Sequence, residues 1–561
     1  MDHLPISVGV SFNSSKSDPD EEAECLPGTR EGVLGQIQEW VDGPSPTCLF
    51  WLNGMAGRGK TTIARSIARV YHEKQQLGAS FFFSKSSNDG RKTTKFFTTI
   101  AAQLANACPL LKPFIAKAVK QNKNVANDRL RDQWKQLIFK PLSGYMPDNN
   151  SGAPQLRLVL VVDALDECES HHADILNCLA EAAELKTVRL RILVTSRPET
   201  PILGFFAGMP ERAKAGLPLD EVPCEEVDED ISHFYRKRFG DIVRANLGDL
   251  HADWPGEPSI TELVQKAAGL FIYAATICRF IERHDPWSPQ QLLESVLPTQ
   301  QSQNKGLTTS RKQLPDASPF AELDALYMTI LEKSVQGNVK DKEKLAEYFR
   351  DFIGPQVLLF EPLSIATLAT LLDENERALS ASLRRLRAVF AVPDRKTDTA
   401  DQTEMPIKIL HPSFRDCLTS KDRCDPRFLV DPGRTHRLLL GHCLGRAGAL
   451  LKRDMCDLRL PGAWAEDVKP EVVARCIPPH LKYACVYWAR HLMAASDPPV
   501  QDDGPTYRFL TRHFLHWLEA LSLARRISDG IGPLFQLGSL LTVRTSLPTT
   551  EVPITRLEGC Y

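Results

Sequence analysis

Apolar and polar positions change their rhythm several times along the chain. Met1 to about Glu24 is rich in Ser, Asp and Glu and holds few large apolar residues. Such a segment cannot bury enough surface to offset its ordering entropy, so a disordered leader is predicted over 1–24. Leu34, Ile37, Trp40 and Val41 then recur at helical spacing and stop at Gly43-Pro44-Ser45-Pro46. The unbroken apolar run from Cys48 to Leu52 reads as a buried strand. Further β-rich runs lie at 79–83, 156–162 and 190–195, with helical patterns between them at 61–71, 94–107 and 173–183. Apolar strands alternating with helices predict a parallel sheet covered on both faces.

After Pro198 helical spacing takes over, at 228–239, 260–282, 320–335 and 341–352. The stretch 299–319 is polar and reads as a linker. Helices at 364–372 and 376–386 precede strands at 388–392 and 407–410 joined by a polar hairpin at 394–404, the element order of a winged helix. From 434 to 527 the pattern is helical again. There is no internal repeat at a period of ~20–50 residues, which argues against an attached solenoid or propeller. The expected fold class is an α/β domain, a parallel sheet with helices on both faces, followed by a helical domain, a winged helix and a second helical domain. The expected divisions are 25–205, 206–298, the linker 299–319, 320–420, 421–530 and an irregular tail 531–561.

Composition narrows the functional classes. At 561 residues the chain is too long for one core. Lys+Arg 68 against Asp+Glu 70 leaves a net charge of -2 with no long block of one sign, so the overall field predicts neither nucleic acid nor an anionic membrane as partner. The most apolar stretch, 267–278, falls short of a bilayer span, and the N-terminus has no basic start before an apolar run; a cytoplasmic location is expected. Fourteen cysteines without a Cys-x-x-Cys disfavour a disulfide framework or a zinc knuckle.

The candidate chemistry begins at Gly54-Met55-Ala56-Gly57-Arg58-Gly59-Lys60-Thr61, followed by Thr62. It fits G-x-x-x-x-G-K-[ST] and lies between a buried strand and a helix, where the mechanism needs it. Glycines let the backbone amides wrap a phosphate, and the helix N-terminus adds partial positive charge. Lys60 would reach the β- and γ-phosphates, and Thr61 would hold Mg²⁺. Motif and context agree, which disfavours a Gly-rich turn that binds nothing.

A second strand ends in a carboxylate, Leu158 to Asp163, and continues Ala164-Leu165-Asp166-Glu167. One carboxylate beside the P-loop holds the metal shell and another orients water. Asp163 is assigned to the metal and Asp166 with Glu167 to water activation; the alternative is that the pair caps the next helix. The third strand ends at Thr195-Ser196-Arg197, where Arg197 would meet either a γ-phosphate or a neighbouring acid.

Together these sites resemble the NACHT domain of the STAND class of signal-transducing P-loop ATPases, carried by the D-A-L-D-E-C and V-T-S-R-P forms of the second and third motifs. The likeness is strongest to the fungal NACHT set related to the nephrocystin-type N-terminal domain, and covers roughly Cys25 to Ile527. It implies an ATP/ADP switch with slow Mg²⁺-dependent hydrolysis, nucleotide-controlled self-oligomerisation and an effector protein as partner, of the self/non-self recognition or cell-death type. Thr29 and Arg30, in Cys25-Leu26-Pro27-Gly28-Thr29-Arg30, become candidates for closing over the base. The blocks at 269–274 and 411–416 also resemble the family. In related switches a winged-helix histidine contacts the β-phosphate of ADP, which makes His411 a candidate; the alternative is a histidine capping the following helix. Arg58 departs from the small hydroxyl residue of many relatives, adding phosphate attraction or obstructing closure. A hydrolytically dead scaffold and a DNA-binding winged helix presenting Arg377, Arg384, Arg385 and Arg387 are the competing readings.

Overall fold

The computed structural model describes residues 4–14, 24–84, 93–145, 155–210, 214–246, 249–282, 287–297, 320–335, 349–392, 405–459, 464–495 and 504–534. The predicted linker at 299–319 and hairpin at 394–404 lie outside these, as do most of the predicted 341–352 helix and of the tail.

Among the described residues, five strands form one sheet: β1 Leu49–Asn53, β2 Leu77–Phe82, β3 Leu156–Asp163, β4 Val188–Ser196 and the short β5 Gly216–Pro218, which no apolar run announces. They are ordered β2-β3-β4-β1-β5, and every pair is parallel. Alternate residues serve two cores. Trp51, Leu160, Val162, Ile192 and Val194 pack on one side, while Phe50, Leu52, Val159, Val161 and Leu193 pack on the other. Side chains in a strand alternate between faces, so apolar runs without alternation are what a doubly covered sheet requires. Because β3, β4 and β1 are neighbours, the three motifs that follow them emerge side by side at one edge.

The segment 4–14 differs from the expected disordered leader. The Phe82 amide donates to the Val10 carbonyl at 2.8 Å, the Ser7 amide donates to Thr99 Oγ1 at 2.9 Å, and the Phe12 amide donates to Ser80 Oγ at 3.1 Å. Leu4, Val10 and Phe12 are buried. Low overall apolarity hid three anchors that fit the exposed side of edge strand β2.

The predicted 260–282 helix is two helices, Glu257–Ala267 and Phe271–Glu282. Ala268 (φ 46°) and Gly269 (φ 73°) break it in left-handed conformation. Beyond them, buried residues from Val227 to Leu523 form one contiguous apolar core. It contains the helices Ala321–Val335, Ile365–Leu372 and Glu376–Arg385. It also includes strands β6 Phe390–Ala391 and β7 Lys408–Ile409, then the helices Pro412–Leu418, Pro432–Leu450, Pro479–Ala494 and Pro505–Leu523. β6 and β7 pair antiparallel over two residues each. Among the described residues, no helix is long and apolar enough to cross a membrane.

Candidate functional site

The loop after β1 is built from backbone that only glycine adopts without strain: Gly54 (φ 155°), Gly57 (φ 84°) and Gly59 (φ 90°). Gly57 also has no room for a side chain, since a Cβ there would strike Ile272 Cγ2. The Ile272 amide donates to the Gly57 carbonyl at 3.2 Å. Thus the Phe271–Glu282 helix sits directly on the loop, which accounts for the Gly269 to Ala274 block. Lys60 opens the next helix, Lys60–Glu73. Its Nζ donates to the carbonyls of Gly54 at 2.7 Å and Met55 at 2.9 Å. Burial lowers its pKa, opposed by the nearby Asp166 carboxylate. Thr62 lies in the first turn, where its carbonyl accepts from Ser66 Oγ at 3.0 Å.

Arg58 turns outward. Its Nε pairs with Asp220 Oδ1 at 3.0 Å, and its Nη1 donates to the Gly269 carbonyl at 3.2 Å. Asp220 Oδ2 also accepts from the Met55 amide at 3.1 Å. Arg58 therefore braces the loop against neighbouring elements. Asp220, just past the unannounced β5, carried no sequence signal.

Thr61 Oγ1 donates to Asp163 Oδ2 at 2.8 Å. Asp163 is 2% exposed, and its other oxygen accepts from Thr195 Oγ1. Burial raises the Asp163 pKa against these two hydrogen bonds. Thr195 Oγ1 also accepts from the Ala164 amide at 2.9 Å, and Ala164 is left-handed (φ 53°). That turn redirects the chain so that Asp166 faces β4. Asp166 Oδ1 accepts from the Arg197 amide at 3.0 Å, and Oδ2 lies 3.4 Å from Arg197 Nε. The acid partner foreseen for Arg197 is thus present. Glu167 is half-buried near Arg415.

Two residues from the far end of the chain join this edge. Arg197 Nη1 lies 3.3 Å from Asp416 Oδ2 on the Pro412–Leu418 helix. His411 caps that helix: its Nδ1 accepts from the Ser413 amide at 3.2 Å and lies 2.7 Å from Ser413 Oγ, which in turn lies 2.7 Å from the Tyr327 hydroxyl. Accepting a backbone N–H leaves Nδ1 unprotonated, so the neutral ring carries its proton on Nε2. Burial, then the Arg197 and Lys60 charges, pushes the His411 pKa down to about 3. The capping role is observed, and it leaves a neutral imidazole beside the loop's cations.

Thr29 Oγ1 donates to the Leu26 carbonyl at 2.7 Å. Arg30 is buried in left-handed conformation (φ 58°). Its amide donates to Asp230 Oδ2 at 3.1 Å, its Nη2 donates to the Arg58 carbonyl at 3.1 Å, and its guanidinium lies 4.7 Å over the Phe271 ring. Arg30 Nη1 is buried without a hydrogen-bond partner. On the alternative interface, Arg385 Nη1 donates to the Ser334 carbonyl at 3.2 Å, so part of that cationic face serves internal contacts.

A loop of positive-φ glycines, with a hydroxyl and a buried carboxylate beside it at the carboxyl edge of a parallel sheet, defines the P-loop class of α/β proteins. Residues 28–197 match the family model described as Nephrocystin 3, N-terminal, so that part of the chain is similar to NACHT/nephrocystin-3-like domains. It is 24% identical over 574 aligned residues to the Vegetative incompatibility protein HET-E-1 of Podospora anserina, covering 95% of this chain and 38% of that protein. The chain therefore spans well under half the length of that relative. The structure titled "Structure of Drosophila ORC bound to DNA" aligns over 66% of this chain and 90% of that chain at 13% identity, with a TM-score of 0.25, which carries no argument.

Proposed function

We propose that the chain is an ATP/ADP-binding signal-transduction switch with slow Mg²⁺-dependent hydrolysis and nucleotide-controlled oligomerisation. The observation that carries this reading is the direct contact of Thr61 with Asp163 on the strand beside Arg197, under a loop whose three glycines take positive φ. The residues fit a nucleotide: a Cβ-free cradle, an unpartnered buried Arg30 Nη1 and oxygen donors suited to a hard cation. Gly54, Gly57, Gly59, Lys60, Thr61 and Thr62 would hold the phosphates, while Thr61 and Asp163 would hold Mg²⁺. Bound Mg²⁺ would supply positive charge to a carboxylate whose ionisation burial disfavours.

Arg197 would respond to a γ-phosphate. His411 Nε2–H can donate to a β-phosphate oxygen, and Glu167 and Asp166 would orient water. Residues 320–420 serve as the winged-helix part of the switch, and Thr29 with Arg30 closes the base side. Likeness over 95% of the chain to a vegetative incompatibility protein supports a self/non-self recognition role.

Calorimetry with Mg·ADP tests the reading. Lys60→Ala and Thr61→Ala should each weaken binding at least tenfold, and unchanged affinity in both refutes it. A hydrolytically silent scaffold is the second reading, favoured by the engagement of both Asp166 oxygens by Arg197. Turnover by the wild type that Glu167→Gln abolishes would exclude it.

A further inference from the structure

Resting on the nucleotide-binding reading, we propose that Asp416 sets the choice between nucleoside diphosphate and triphosphate by holding Arg197. The Arg197 guanidinium is bracketed. Asp166 takes Nε on one side and Asp416 takes Nη1 on the other, while the Arg197 amide anchors its backbone to Asp166. The Arg197 side chain is 25% exposed and that of Asp416 is 39% exposed. The pair therefore forms at a partly dry boundary between the end of β4 and the Pro412–Leu418 helix.

The same helix repeats the arrangement with signs reversed. Arg415 is half-buried with the Asp416 and Glu167 carboxylates as its acidic neighbours. One short helix thus pairs with the cation through Asp416 and sets Arg415 near an acid that a triphosphate would need. A partly desolvated guanidinium gains from an anion beside it, and Asp416 supplies one here. A diphosphate brings no anion that must displace Asp416. A triphosphate would, because its terminal group seeks the same guanidinium and is repelled by the carboxylate already there. The triphosphate is thus disfavoured until the helix withdraws, and the energy it gains from Arg197 is reduced by the loss of the Asp416 contact.

A second ion pair across this boundary supplies the control. Arg490 Nη1 lies 3.3 Å from Glu169 Oε1 just past the acidic motif, at a similar distance, and does not involve Arg197. Affinities of the full chain for Mg·ADP and for a non-hydrolysable imido analogue of ATP should be measured in four forms: wild type, Asp416→Asn, Arg490→Ala, and Arg197→Ala/Asp416→Asn. Asp416→Asn keeps shape and removes charge, and should shift the preference toward the triphosphate by roughly 3- to 30-fold. Arg490→Ala should leave that ratio unchanged, and the double variant should lose the gain. An unchanged ratio in Asp416→Asn, with both nucleotides still bound, overturns the proposal alone. An equal gain in Arg490→Ala also overturns it, because general loosening would then be the cause. A wild type that binds neither nucleotide overturns it together with the reading it rests on.

Discussion

At Gly57 a methyl group would strike Ile272, and the backbone there is left-handed. Gly57→Ala combines strain of about 1–3 kcal/mol with displacement of the Phe271–Glu282 helix. Its thermal midpoint and nucleotide affinity should both fall, whereas a substitution on the open side of the helix should change neither. His411 makes the complementary electrostatic case. Its ring is neutral in the folded protein with a pKa pushed down to about 3, while an unfolded histidine titrates near 6.5. The unfolded chain therefore binds the proton more readily between these values. The stabilisation is fully present above about pH 6.5 and is lost as the pH falls toward 3, by at most about 5 kcal/mol. His411→Asn keeps an N-cap acceptor and removes the titration, so its unfolding midpoint should depend less steeply on pH. The buried His436, pushed down to about 4 by burial and Arg415, should retain part of the dependence.

Among the elements, β2 is an edge strand, and residues 4–14 cover it. Leu4, Val10 and Phe12 each gain about 1.5–3 kcal/mol on burial, most of which the ordering of the segment offsets. Removing residues 1–14 should lower the thermal midpoint by about 2–4 °C and raise self-association through the bared edge, as sedimentation at several concentrations would read. Unchanged sedimentation would mean that another feature protects the edge. The broken 257–282 region shows how an element serves the site. The left-handed step at Ala268 and Gly269 turns the second helix so that its Ile272 amide meets the P-loop, and Arg58 fills the space where Gly269 lacks a side chain.

Across the whole molecule, the contiguous core from Val227 to Leu523 links the helix that sits on the P-loop with the helix that carries Asp416. Contacts at the sheet's edge can therefore bias the placement of a large body, since packed cores shift between discrete arrangements rather than deform continuously. His411→Ala removes both the cap and the imidazole beside Lys60 and Arg197. We expect faster proteolysis in the polar 299–319 stretch and greater self-association with ATP than in the wild type, by limited digestion and small-angle scattering. Profiles that match the wild type with both nucleotides would mean that His411 does not couple the site to the assembly.

The features written in short runs of residues were legible from the start: the apolar strands β1, β3 and β4, the glycine loop, Asp163 at a strand end and Arg197 at another. Each depends on local needs, such as burial on both faces of a strand or a backbone conformation that only glycine tolerates, so nearby residues suffice to specify it. The edge segment 4–14 was hidden because its three anchors are too few to raise local apolarity. β5 was hidden because three residues show no period. Asp220 and Asp230 are ordinary polar residues in sequence, Thr195 and Asp416 lie in motif blocks that name no partner for them, and only the packing brings the four to Arg58, Arg30, Asp163 and Arg197. Arg197 and Asp416 are 219 positions apart. A pairing at that distance is decided when strand order and the shared helical core place two charges within reach, and no pattern along the chain records it.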